Sequence, residues 1–160
     1  MKFYFPTNNL ATYGIYDIYD ENMKTIYHID NQKNSFALKN IEGKELIRFE
    51  RKGKEYDVYK NSKIMGQLIF ESHFFKESKI YYSYCDINTN KFGQTEYNIY
   101  LGDKVAAKTV SDKINKTYYR VVEVLNEEYL NEILILIYYI EDFKRQEEFA
   151  AAYWLLYMNH

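Results

Sequence analysis

The stretch ILILIYYI, residues 133–140, carries no charge, and from Tyr129 to Phe143 apolar side chains fall at every angle of a helical wheel. No other feature restricts the fold as much, because a helix that is apolar all round must be surrounded on all sides. The flanks favour a helix. Asn126 is a good N-cap, Glu127 and Glu128 suit the positive end of a helix dipole, and Asn131, Glu132, Glu141 and Asp142 keep polar groups near the ends. A buried strand is the competing reading; it tolerates the isoleucines and tyrosines but not the length or the acidic start. The predicted helix covers about 127–144.

What surrounds it is written upstream as a repeat. Tyr16-Asp17-Ile18-Tyr19 returns as Tyr56-Asp57-Val58-Tyr59 and as Tyr97-Asn98-Ile99-Tyr100, each followed by a polar turn and a second β-rich segment. FALKNIEGKELIRFE, from Phe36, and KIYYSYCDINTNKFGQ lie between the copies, so a hairpin of about twenty residues is used five times. With TYYRVVEVL (117–125) and the N-terminal segment, about twelve strands are expected. Period-2 alternation supports them: Ile47 and Phe49 share one face, Arg48 and Glu50 the other. Asp17, Asp57 and Asn98 are expected on a solvated outer face rather than in a catalytic triad. The 19 tyrosines and single proline fit pleated, half-buried surfaces.

About twelve antiparallel strands expose edges unless they close, and a barrel of that width needs filling. Fifteen helical residues span roughly 22 Å, close to the height of such a wall. The expected architecture is therefore mainly β: a closed antiparallel barrel of hairpin repeats (1–146) round a central hydrophobic C-terminal helix, with Ile133, Leu134, Leu136, Ile137 and Ile140 as its axis. Residues 147–160 are expected as an additional helical tail of the same domain.

Short hairpins of the "YDIYDEN" and "NIEGKELIRF" kind, ending in a hydrophobic helix closed by "YYIEDFKR", resemble the tubby-like barrel superfamily. Within it, the chain is most similar to the small bacterial relatives of the LURP-one-related proteins, which share that barrel with phospholipid scramblases. The resemblance covers roughly residues 1–145 and implies about twelve strands round a C-terminal helix. Tubby proteins bind phosphoinositides through basic residues on the barrel, but no motif carries those positions onto this sequence. The chain departs from the pattern by continuing beyond "EDFKR" with QEEFAAAYWLLYMNH.

Chemistry-bearing residues are sparse. His28, His73 and His160 have no second ligand at metal spacing, no phosphate-binding glycine loop occurs, and Cys85 in a tyrosine-rich strand reads as a small buried hydrophobe rather than a nucleophile paired with His28 or His73. Neither catalysis nor a cofactor is expected. One compact basic cluster, RFERKGKE, holds Arg48, Arg51, Lys52 and Lys54; it suits an anionic headgroup, or simply a charged hairpin end offset by Glu50 and Glu55. In the tail, Phe149, Tyr153, Trp154, Leu156 and Tyr157 are residue types of interface cores. They are expected to close the barrel's mouth, to dock on a partner protein or second copy, or to enter a membrane shallowly. A net charge of −2 argues against nucleic acid. One cysteine, no secretory leader pattern and no apolar stretch of spanning length lead to the expectation of a cytoplasmic protein. The sequence thus favours a non-enzymatic interaction or scaffold barrel, with peripheral binding of anionic lipid headgroups as the alternative.

Overall fold

The computed structural model describes residues 1–8, 13–71, 79–83, 85–89 and 96–159, the side chains of 70, 71, 79–81 and 147–149 excepted. His73 and His160 lie outside the described residues. Twelve strands come first: β1 Lys2–Pro6, β2 Gly14–Tyr19, β3 Thr25–Asn31, β4 Ser35–Asn40, β5 Glu45–Lys52 and β6 Glu55–Lys60. Then follow β7 Lys63–Glu71, β8 Lys79–Tyr82, β9 Ile87–Thr89, β10 Asn98–Leu101, β11 Lys104–Ile114 and β12 Thr117–Val124. A 3-10 turn, Glu127–Tyr129, leads into α1, Leu130–Met158. The three tyrosine-led repeats are β2, β6 and β10, each the first strand of a hairpin. Left-handed backbone makes the tight turns: Asn61 and Ser62 join β6 to β7, and Asn115 and Lys116 join β11 to β12. Gly102 sits at φ +61°, a left-handed conformation that favours glycine; a Cβ there would stand 2.9 Å from Asp86 Oδ2 and push that side chain aside.

All pairings are antiparallel and the strand order returns on itself, with β1 between β12 and β2. The wall is uneven. β1 shares five registered residue pairs with β12 but only one, Tyr4↔Tyr19, with β2. The expectation of a closed barrel is corrected to that extent: the sheet is antiparallel and wraps the helix, but no continuous ladder seals β1 to β2. A side-chain hydrogen bond crosses the seam instead, from the buried Tyr16 hydroxyl to the Pro6 carbonyl at 2.6 Å.

Alternation places Phe3, Phe5, Ile18, Ile29, Leu38, Ile47, Phe49 and Val58 inside, packed against Ile133–Ile137 of α1. Each such side chain contributes roughly 1.5–3 kcal/mol on burial. Two carboxylates enter with the helix. Glu132 meets Lys60 of β6 at 2.5 Å, and Glu141 meets Arg120 of β12 at 2.7 Å. Lys60 and Arg120 stand at inward-facing positions, in step with Val58 and Val122, so one pair near each end fixes the helix's depth and rotation. Of the outer acidic positions, Asp17 is half-exposed beside His28, whereas Asp57 is buried with Gln67 Nε2 at 3.5 Å. The fully solvated face expected for Asp57 is therefore corrected.

The helix does not stop near residue 144. It continues unbroken for 29 residues to Met158, so the tail is the helix's own end. No glycine or proline lies between Asn126 and Met158, and Asp142 bonds both Arg145 (3.2 Å) and Gln146 (2.8 Å) one turn on, which carries the helix through the charged stretch.

Candidate functional site

Where α1 leaves the barrel, a cleft of about 590 Å³ opens between the helix, the β3–β4 loop and the β5–β6 hairpin. Its floor is aromatic. Phe36 stacks on Tyr139 with ring centroids 5.9 Å apart, and Tyr56 sets its edge against Tyr139 at 5.3 Å. These rings are here because β4 sets Phe36 directly opposite Phe49 of β5, and β6 sets Tyr56 two residues before Val58, on the same inward face. Asn31, at the matching position of β3, donates to the Tyr138 hydroxyl at 2.7 Å. Burial raises the Tyr56 and Tyr139 hydroxyls above the ordinary tyrosine range, with Arg51 opposing in both.

The rim is cationic. Among the described residues, Lys33, Arg51, Lys54 and Arg145 line the cleft with Asp142 as the one carboxylate. Asp142 is held by Arg145 and Gln146, and burial raises its pKa above the usual carboxylate value despite those partners. Arg51 stands two residues beyond Phe49, at an inward-facing position of β5 where the core has ended. Its Nε donates to the Gly53 carbonyl at 3.1 Å and its backbone N–H to Asn34 at 2.7 Å, which ties the loop to the hairpin. Among the described residues, no carboxylate lies within ion-pairing distance of Lys33, Arg51 or Lys54.

The basic cluster read from the sequence is thus divided. Arg51 and Lys54 reach the cleft. Arg48, on the outer face, is engaged by Glu45 at 3.0 Å and Glu50 at 3.7 Å and lies over the Tyr59 ring; Lys52 is 3.9 Å from Glu50. Sequence reasoning missed Lys33 and Arg145, which come from a loop and from α1. Only the parity of Arg51 with Ile47 and Phe49 pointed to a cation at the mouth.

The helix end projects from the same mouth. Tyr153, Leu155, Leu156, Tyr157 and Met158 are exposed, and so is Trp154 at 63%, its ring edge-on to Tyr157 at 6.3 Å. The side chain of Phe149 lies outside the described residues. The barrel supplies no cover, so the expectation that this segment folds back over the mouth is overturned: a helix continuing straight from the plug cannot reverse onto the rim. The described helices include none long and apolar enough to cross a membrane.

Elsewhere, His28 Nδ1 and Asp17 Oδ1 form a 2.6 Å cross-strand pair on the outer face. Cys85 packs against the core just before β9, six strands away from β3 round the wall, so His28 and Cys85 do not meet. Among the described residues, no group of three His, Cys, Asp or Glu side chains is placed to hold a metal ion.

No family model matches the chain, and no curated protein does. A solved structure does: the X-ray structure of a protein from Arabidopsis thaliana, 12% identical, superposes with a TM-score of 0.62 over 89% of this chain and 91% of that one. At that identity the likeness concerns the fold alone, and it establishes that this β-rich wall with its C-terminal helix is an architecture found in a crystal.

Proposed function

We propose that the protein is a non-enzymatic docking module that holds to an anionic membrane surface through the free end of α1 and the cationic mouth beside it. The observation that carries this reading is the helix end itself: residues 150–158 are uncharged, and all of them are exposed. A partner protein or second copy covers one face of a helix, whereas the outer part of a lipid leaflet covers every face. Residues 149–158 rise about 15 Å, half of a hydrocarbon core of roughly 30 Å, so the end enters one leaflet without crossing. Tryptophan and tyrosine suit the interfacial depth, and Glu147 and Glu148 mark where insertion stops. Each rim cation near an anionic surface adds on the order of 1 kcal/mol.

The layout also supports placing the chain in the tubby-like, LURP-one-related and scramblase-type superfamily, an inference that rests on the barrel-and-helix plan and the hairpin motifs. The scaffold reading, with the tail in a homodimer or on a protein partner, is the rival.

Trp154 is the sole tryptophan, so its emission reports the helix end directly. Anionic vesicles are expected to shift it to the blue and to float the protein, less so at high salt; Leu155→Glu/Leu156→Glu, which keeps the tryptophan, abolishes both. A blue shift that depends on protein concentration without lipid, with doubled mass, would establish the scaffold reading instead.

A further inference from the structure

We infer that the mouth cleft is a recognition site for a phosphate monoester carried on an apolar body, with Asp142 acting as an internal anion that the ligand displaces from Arg145. The inference deepens the docking reading, yet it concerns a different set of atoms from the helix end. Lys33, Arg51 and Lys54 line the cleft with no carboxylate of the described residues at ion-pairing distance, so these three cations call for more than a single negative charge. A phosphate monoester brings nearly two, where a simple carboxylate brings one. Arg51 is anchored at Nε by Gly53, so its two terminal nitrogens remain presented as a planar fork, the geometry that takes two oxyanion oxygens together. Lys33 and Lys54 flank it as point charges from the loop and the hairpin. Below them, the rings of Phe36, Tyr56 and Tyr139 offer an apolar floor, and a cleft of about 590 Å³ falls in the size range of small-molecule sites.

Asp142 gives the proposal its distinctive signature. Its carboxylate occupies Arg145 at 3.2 Å and accepts from Gln146 at 2.8 Å, inside the same cleft. An incoming oxyanion competes with it for Arg145 and is repelled by it. Removing that charge therefore strengthens binding, an effect that a merely structural acid would not produce.

The ligand has two possible sources, a soluble phosphorylated ring or a phosphatidic acid headgroup. Calorimetry on the full chain with phenyl phosphate, inorganic phosphate and phenol reads the first; flotation with vesicles containing phosphatidic acid, compared at equal surface charge with phosphatidylglycerol, reads the second. Phenyl phosphate is expected to bind more tightly than either fragment, or phosphatidic acid more tightly than phosphatidylglycerol. Arg51→Gln should weaken the preferred ligand about tenfold or more, and Asp142→Asn should strengthen it several-fold, both with near-parental melting. Absence of both preferences, or preferences indifferent to Arg51→Gln, overturns the proposal. Failure here leaves the Trp154 shift intact, and loss of that shift in Leu155→Glu/Leu156→Glu leaves phenyl phosphate binding intact, so the two readings fail separately.

Discussion

Arg120 and Glu141 place opposite charges 2.7 Å apart inside a wall of valines and isoleucines, each of them buried. Tyr97 completes the group, its hydroxyl donating to Glu141 Oε2 at 3.3 Å and its ring lying under the guanidinium. Neither charge is tolerable alone in that place. Arg120→Met should therefore cost about 3–5 kcal/mol, the scale for stranding a buried ion. The double change Arg120→Met/Glu141→Leu should recover most of it, short of about 1–2 kcal/mol for the acceptor that Tyr97 gives up. Urea denaturation of the four-member cycle measures both numbers; additive losses would show that the pair does not act as a unit. The arginine half of this pair was legible, because Arg120 shares a face with Val122 and Val124. The partner was not. Glu141 reads in sequence as a polar helix end, and pairing across 21 residues depends on how far the helix slides into the barrel.

At the scale of elements, the hairpins followed from turn chemistry and alternation, since both act over a few residues. Where α1 ends did not. The charged stretch 141–148 looks like the end of a plug, but its residues are strong helix formers with bonds one turn apart, and local propensity carries the helix through. Two substitutions separate plug from extension. Leu136→Asp puts an unpaired charge where the side chain is fully buried, and the cooperative melt should be lost. Gln146→Pro removes a helical donor outside the core and costs about 3 kcal/mol of helix locally. It should lower far-UV helicity by the last turns while the barrel melts within a few degrees of the parent. A parent-like melt in Leu136→Asp, or global unfolding by Gln146→Pro, would show that the plug has been placed on the wrong residues.

The whole molecule is a wall wrapped on a plug, and its weak line is the seam between β1 and β2. The need for surrounding strands was evident from one apolar helix; the single registered pair at that seam was not, since ladder continuity depends on the curvature of all twelve strands together. Tyr16 bridges the seam, so Tyr16→Phe leaves the Pro6 carbonyl without that donor at a buried position. A cost of about 1–3 kcal/mol is expected, with faster amide exchange in β1 and β2 than in β11 and β12. The same hydroxyl belongs to a set spread round the interior. Tyr16, Tyr97, Tyr138 and Tyr139 are all raised above the ordinary tyrosine value, first of all by burial. The sign follows from linkage. Unfolded tyrosines release their protons near pH 10 (roughly the model-peptide value), whereas the folded ones retain them, so above that pH the folded state binds more protons. Stability from these four groups is complete below about pH 10 and falls as pH rises towards their folded values. The melting midpoint should be flat with respect to tyrosine ionisation up to pH 9 and then decline steeply. The phenolate absorbance of the buried set should appear together with loss of helical circular dichroism. A smooth phenolate titration of all 19 tyrosines in a protein that remains folded would mean that the interior is open to water.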